Sequence, residues 1–405
     1  MIEDLIEKLC PYGVEFVEMS RLFEMRNGYT PSKSDASLWA DGTIPWFRME
    51  DLRASGGVLD DAQQHIPMSA VKGGRLFPSD SILIATSATI GEHALVTVPH
   101  LSNQRFTSLA VAPEYSKRLN MKFAYYYAFT LDEWCRKNTT TSSFASVDMA
   151  GFRRFRFPVP PIEVQLEIVR ILDTFTELEA ELEAELEARR RQYSHLSELL
   201  LVSDKGVPRV NLGDVATIVR GASPRPIQSY LTRESDGIPW VKIGDAPAGG
   251  KYITSTGQLV SPAGAEKSRR VKPGDFVLSN SMSFGRPYIS KIEGCIHDGW
   301  LAISDFDQAF LPDYLYYLLR SAPVQAEFER RAGAGTVKNL NADIVKRVRV
   351  PLPPRSLQAE VVELLDKFDA LVNDLSVGLP AELAARRRQY EYYRDRLLSF
   401  EELQK

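Results

Sequence analysis

The side chains of this sequence that are equipped for chemistry sit in short polar loops, and the chemistry they suit is recognition. Thr86-Ser-Ala-Thr89, Asn103-Gln-Arg-Phe106 and Thr139-Thr-Thr-Ser-Ser-Phe144 lie in the first half of the chain. Ser268-Arg-Arg-Val-Lys272, Asn280-Ser-Met-Ser-Phe-Gly-Arg286 and Lys338-Asn-Leu-Asn341 lie in the second. Gln, Asn, Ser and Arg are the residues that read base edges, and Lys or Arg beside backbone amides hold phosphates. In the first half the candidate nucleic-acid contacts are Tyr29, Thr86, Ser87, Thr89, Gln104, Arg105, Thr140, Ser142 and Ser143. In the second they are Arg225, Arg269, Arg270, Lys272, Asn280, Ser281, Ser283, Arg286, Lys338, Asn339 and Asn341.

No catalytic constellation competes with them. Gly333-Ala-Gly335 is followed by Thr336-Val-Lys338 and fails the spacing of a phosphate loop. The adjacent pair His297-Asp298 would point to opposite sides of a strand. Cys10, Cys135 and Cys295 are distant and odd in number, as reduced thiols in a cytoplasm would be, and the 5 histidines form no ligand cluster with them. No metal site and no catalytic residue is expected.

The overall charge of −4 hides an uneven distribution. Residues 158–206 carry 5 Lys+Arg against 11 Asp+Glu, whereas residues 207–350 carry 19 against 14. The acidity is therefore segregated, and a phosphate backbone responds to local charge. No apolar run approaches the roughly 18 residues of a membrane span, and the acidic start is unlike a secretion signal.

The elements that must position these loops occur twice. Gly28-Tyr-Thr-Pro31 matches Gly221-Ala-Ser-Pro224, and Gly42-Thr-Ile-Pro-Trp46 matches Asp236-Gly-Ile-Pro-Trp240. Thr86-Ser-Ala-Thr-Ile-Gly91 matches Asn280-Ser-Met-Ser-Phe-Gly285, and Phe123-Ala-Tyr-Tyr126 matches Tyr314-Leu-Tyr-Tyr317. Phe157-Pro-Val-Pro-Pro161 followed by Gln165 matches Val350-Pro-Leu-Pro-Pro354 followed by Gln358. Collinear matches at almost one offset mean a tandem duplication. In each copy, Ser81–Ala85 and 275–279 read as strands, and 121–134 and 313–330 as helices. The proline-rich segments read as strands stopped by residues that cannot donate a ladder bond.

Beyond the prolines a long helix is expected over 162–201, with Ile168, Leu172, Phe175, Leu178, Leu182 and Leu186 as its apolar stripe. It contains three Glu-Leu-Glu-Ala tetrads and ends in Ala188-Arg-Arg-Arg-Gln-Tyr193, which recurs as Ala385-Arg-Arg-Arg-Gln-Tyr390. One narrow seam cannot hold a free helix about 60 Å long, so a partner is needed. The second copy's helix, over about 355–402, supplies it as an antiparallel mate, with a kink or restart near 376–381 where Gly378 and Pro380 fall. The expected class is α/β (α+β), with globular domains at 1–157 and 207–350 and helical regions at 158–206 and 351–405. A pseudo-two-fold axis would relate the copies.

This layout resembles the specificity subunit of a Type I restriction–modification enzyme across essentially the whole chain. The resemblance is carried by the paired Ile-Pro-Trp elements, the Pro-rich helix starts with their glutamines, and the paired Ala-Arg-Arg-Arg-Gln-Tyr segments. It implies two target recognition domains, each reading half of a bipartite site on double-stranded DNA, in a subunit without catalytic activity. It also implies docking of two modification subunits that methylate adenine with S-adenosylmethionine. Through them come restriction subunits that use ATP and Mg²⁺. Spacer and docking roles fall on Leu178, Leu182, Leu186, Arg189, Arg190, Gln192, Tyr193, Arg386, Arg387, Gln389 and Tyr390. In such a family the tetrads act as a ruler, each adding about 6 Å of rise and about 40° of net turn. Two other readings remain: a solitary DNA-binding regulator with the same domains, and a coiled-coil adaptor that binds protein.

Overall fold

The computed structural model describes residues 2–140, 145–202, 206–247, 249–281, 284–332, 339–374 and 376–403. The chain divides into two compact units, Met1–Glu181 with Ala384–Lys405, and Leu182–Leu383.

In unit 1, Ser81–Ala85 is the middle strand of a five-stranded sheet. The order is Phe23–Asn27, Phe106–Val111, Ser81–Ala85, His93–Val96, Val58–Leu59. Neighbours are antiparallel except the last pair. Every residue of Ser81–Ala85 is buried, which follows from an apolar run covered on both faces. Alternation then divides the side chains. Ile82 and Ile84 enter a core with Phe123, Ala124 and Leu131 of helix Met121–Lys137 and with Ile168 and Leu172. Leu83 and Ala85 enter a second core with Trp46, Phe47 and Leu101. Trp46 belongs to a three-stranded sheet ordered His65–Ile66, Ile44–Phe47, Leu101–Ser102. The Ile-Pro-Trp element is thus core.

Unit 2 repeats the plan. Its principal sheet runs Thr217–Arg220, Trp300–Ser304, Phe276–Ser279, Pro287–Ser290, Tyr252–Ile253, with the same senses. The second sheet gains two flanking strands, in the order Leu231–Thr232, Leu259–Val260, Ile238–Val241, Gly294–Ile296, Arg269–Val271. The helix expected over 313–330 is two helices, Pro312–Arg320 and Ala322–Ala332, separated by an extended Ser321. Pro323 is the cause: inside one helix its ring would clash with the preceding turn, whereas the first turn of a new helix accepts it.

The closing strands pair with strands from the start of each repeat, Arg156–Val159 with Glu15–Glu18 and Arg349–Pro351 with Arg209–Asn211. The glutamine that follows the prolines fixes the helix to the domain body. Gln165 is fully buried; its carbonyl accepts from Asn120 N (2.8 Å), and its amide donates to Arg118 O and Pro160 O (both 2.7 Å). Gln358 accepts from Leu311 N (2.8 Å) and donates to Ala309 O and Pro353 O (both 2.9 Å). Both prolines' carbonyls thereby gain the partners that no helical amide supplies.

The central helix spans Ile162–Val202, 41 residues. Its mate is two helices, Arg355–Asn373 and Leu379–Leu397, broken at Gly378, whose φ is +86°. Within unit 1, Phe175 stacks on Tyr393 at 5.5 Å and Glu179 pairs with Arg387 at 2.6 Å, so the helices run antiparallel. Within unit 2, Leu186 packs with Val372 and Leu383, and Tyr193 donates to Asp369 (3.3 Å). The leucines do not form the single seam their spacing suggests: Leu186 is 7% exposed but Leu178 46%. A four-residue step turns about 400°, so successive leucines drift by about 40° away from one contact line.

Candidate nucleic-acid interface

In each unit one end of the principal sheet gathers the loops with hydrogen-bonding side chains, and a turn at its centre has the same backbone in both. In unit 1 the turn, residues 103–106, joins the three-stranded sheet to the principal sheet. Phe106 N donates to Asn103 O (3.2 Å), Asn103 N to Phe47 O (3.1 Å), Thr86 N to Arg105 O (2.9 Å) and Gly28 N to Phe106 O (2.9 Å). In unit 2 the turn is residues 297–300. Trp300 N donates to His297 O (3.0 Å), His297 N to Val241 O (3.1 Å), Asn280 N to Gly299 O (3.0 Å) and Gly221 N to Trp300 O (2.9 Å). The paired glycines are required by this contact. A Cβ on Gly28 would lie 2.1 Å from Asn103 O, and one on Gly221 2.2 Å from His297 O.

Around the unit 1 turn the sheet end brings together Thr86, Ser87, Gln104, Arg105 and, through a bridge from Ser87 to Ser146, Thr140. Arg105 is exposed and has no hydrogen bond or ion pair from its guanidinium to any described residue; its backbone N is held by Asn103 Oδ1 (3.0 Å). Gln104 is exposed and accepts at Oε1 from the Thr30 hydroxyl. Thr86 and Thr107 share a hydroxyl contact of 3.1 Å, and Thr107 donates to Asn27 Oδ1 (3.0 Å). Thr140 bonds to Ser146 Oγ (2.9 Å). The Tyr29 hydroxyl is spent on Ala70 O (3.0 Å) and Lys72 N (2.7 Å), and the Thr89 hydroxyl oxygen is buried. Ser142 and Ser143 lie outside the described residues, as do Ser283 and Lys338 of unit 2.

Around the unit 2 turn stand Arg225, Ser281, Arg286 and Asn339, all at least partly exposed, with Arg269 paired to Ile296 just before the turn. Arg286 lies over the Tyr288 ring at 5.8 Å. Asn280 is 2% exposed and donates its amide to Asp298 O (2.8 Å), so it shapes the turn from within. Asn341 caps helix Ala342–Lys346 through Ile344 N (2.9 Å). Arg270 pairs with Glu293 (3.4 Å), further from the turn. Lys272 leads into the start of Phe276–Ser279 and therefore sits at the opposite end of the sheet.

Asp298, expected to lie on the opposite side of a strand from its neighbour His297, stands instead in the turn itself, where consecutive side chains need not alternate, and its carboxylate faces the His297 ring. Its Oδ1 accepts from Ser223 (2.8 Å) and lies 3.1 Å from His297 Nε2, while Arg225 approaches Oδ2 to 3.7 Å. Burial pushes this carboxyl up, but the Ser223 hydrogen bond and the nearby His297 more than offset it, and the net direction is down. Asp298 is therefore an anion at neutral pH. A usable signal existed: the offset of 194 that aligns the two Ile-Pro-Trp elements also aligns 103–106 with 297–300.

The helical candidates divide in two. Tyr193 and Tyr390 face their helix mates, Tyr390 at 6.4 Å from Phe175, and Leu182 is half-buried beside Leu186. Arg190, Arg386, Gln192 and Gln389 are on the exposed side, and Arg189 pairs with Glu185 (3.3 Å) and Gln192 (3.1 Å). Among the described residues no group of three or more His, Cys, Asp or Glu is placed to hold a metal, and no helix is long and apolar enough to cross a membrane.

A family model described as Type I restriction modification DNA specificity domain matches residues 11–188 and again 205–385. The Escherichia coli Type I restriction enzyme EcoprrI specificity subunit is 56% identical over 208 residues, 48% of this chain and 52% of that one. This chain therefore spans about half the length of that relative within the match. A putative type I restriction enzyme specificity subunit of Haemophilus influenzae is 32% identical over 294 residues, 70% of this chain and 73% of its own. Among solved structures, a chain from work on assembly and conformational transition of a type I restriction–modification system aligns with a TM-score of 0.64 at 17% identity. It covers 95% of this chain and 97% of that one. The HsdS subunit from Thermoanaerobacter tengcongensis aligns at 0.54 and 18% identity, over 97% and 99%. At these identities the structures speak for the fold alone.

Proposed function

The chain belongs to the Type I restriction modification DNA specificity family, and from that premise we propose that each unit reads one half of a bipartite site on double-stranded DNA through the sheet end described above. The observation that carries this reading is the repeated turn. Two units hold the same backbone frame, with the same glycine contact behind it, and present different polar side chains at its tip. Recognition of two unlike half-sites needs such a frame, since base edges are distinguished by side-chain donors and acceptors while the frame sets register. The balance of 19 Lys+Arg to 14 Asp+Glu over 207–350 suits a phosphate-facing surface.

On this reading the subunit is not itself a catalyst and works in the cytoplasm, where the DNA is. Two modification subunits dock on the helices and bring S-adenosylmethionine, and restriction subunits reached through them bring ATP and Mg²⁺. The outward residues of the repeated Ala-Arg-Arg-Arg-Gln-Tyr segments, Arg190, Gln192, Arg386 and Gln389, are offered as equivalent docking points. The tetrads of the central helix set the distance between half-sites.

The test is a titration of duplex DNA with the chain assembled with its modification subunit. A protein neutralising six to ten phosphates loses about 10³-fold or more in affinity between roughly 50 and 200 mM salt. That loss is expected here. Affinity absent, or flat with salt, would support the protein-binding adaptor instead.

A further inference from the structure

The two equivalent turns differ in polarity at their central positions, and this difference is chemically legible. In unit 1 the tip is Gln104-Arg105; in unit 2 it is Asp298-Gly299. Backbone hydrogen bonds of 2.9–3.2 Å fix both turns from the flanking strand, the preceding sheet and the glycine loop behind them. Side chains carried on such a frame are presented with little backbone freedom left to lose.

What each tip offers follows from the bonds already made. Gln104 is exposed and has its amide oxygen engaged by the Thr30 hydroxyl, while the two N–H donors of its amide have no partner among the described residues. Arg105 adds only donors, and no described residue occupies its guanidinium. The tip of unit 1 is therefore dominated by donors. The base edge that answers paired donors in the major groove is guanine, with acceptors at both O6 and N7 and no donor, whereas thymine offers the single acceptor O4 beside its methyl group. Adenine, with its N6 amino group, would set donor against donor. In unit 2 the Asp298 carboxylate accepts from Ser223 at Oδ1 (2.8 Å), and Arg225 at 3.7 Å is beyond hydrogen-bond distance of Oδ2. That oxygen carries the longer ion pair to Arg225 but no hydrogen bond among the described residues, and it is an acceptor alone, beside a Gly299 that adds no side chain. The base edge with a donor and no acceptor is cytosine, through N4. A carboxylate placed at a guanine edge, or against a phosphate, would be repelled.

We infer that residues 103–106 and 297–300 are the base-reading turns of the two units, with Gln104 and Arg105 selecting a guanine in one half-site and Asp298 selecting a cytosine in the other. The inference rests on the proposed bipartite reading and names the residues that decide it.

The experiment uses the full chain assembled with its modification subunits, a pool of randomised duplexes, and sequencing of methylated adenines. Wild-type, Arg105→Ala and Asp298→Asn complexes are compared, with thermal melting of each chain as the folding control. Arg105→Ala should relax one guanine position of one half-site by roughly 10- to 100-fold and leave the other half-site alone. Asp298→Asn keeps an acceptor toward Ser223 and turns a donor outward, so it should relax one cytosine position of the opposite half-site to a similar extent. Arg105 has no described partner to lose, so its variant remains informative even if Asp298→Asn folds poorly. A folded Arg105→Ala chain with both half-sites at full discrimination overturns the inference, as does a change in the same half-site from both variants. A wild-type complex that methylates no bipartite site sinks the underlying reading instead, which is a separate outcome.

Discussion

His100 shows how much a single buried side chain can couple this fold to pH. It has no exposure, lies edge-on between Phe47 (5.4 Å) and Phe77 (5.5 Å), and bonds through Nδ1 to Val98 O (2.9 Å), while its buried Nε2 has no partner among the described residues. Burial pushes its pKa down to about 4, the bond to Val98 resisting only in part. Between pH about 4 and 6.5 the unfolded chain therefore holds a proton that the folded chain does not. The stability of unit 1 is complete above the upper bound and falls as the pH drops toward the lower one, by about 2 kcal/mol at pH 5. Melting curves at pH 7 and pH 5 should show this loss, and His100→Phe should flatten it; an equal loss in the variant would rule His100 out as the cause. The same scale limits what residue type reveals. Lys272, Asn280 and Asn341 have the side chains of DNA contacts, yet they stand respectively at the far end of the sheet, inside a turn and at a helix cap. Which end of a sheet a loop occupies depends on strand pairing, and no local pattern encodes that.

The buried glutamines Gln165 and Gln358 set where each long helix leaves its domain. Each satisfies one backbone N–H and two carbonyls at the proline stop. Replacing Gln358 by Ala orphans all three in a site with no exposure, which should cost unit 2 about 2–3 kcal/mol. Urea unfolding of the full chain measures this, and a loss within about 0.5 kcal/mol, as expected of an ordinary surface change, would contradict the role. The elements themselves were largely legible. Ser81–Ala85, the helix from Met121 and the central helix stand where the apolar pattern puts them: a short apolar run is buried throughout in the first, and in the second the helical period and the burial agree. Breaks were legible only where the residue responsible was weighed. The Gly378 and Pro380 restart is where expected, whereas Pro323 splits a segment whose leucines and tyrosines alone would make one helix. Leu178 shows the complementary limit, since its exposure depends on the geometry of the partner helix as well as on its own spacing.

At the scale of the whole molecule the duplication is the governing fact. Two sheets with the same strand order, two buried glutamines and two turns with one backbone follow from it. So does the family match over 11–188 and 205–385. The proposed division of labour gives the conserved frame to both repeats and the recognition chemistry to the differences between them. It also gives the Glu-Leu-Glu-Ala tetrads a meaning as length. Removal of one tetrad takes away about 6 Å of helix and about 40° of net turn. A base pair contributes about 34–36° of rotation. The most direct measurement is therefore a methylated-adenine map from the chain assembled with its modification subunits, made for the natural sequence and for a variant lacking residues 181–184. The natural sequence should give a bipartite motif, and the variant the same two half-sites separated by a shorter gap. A motif without a gap, or half-sites altered at an unchanged gap, would contradict it.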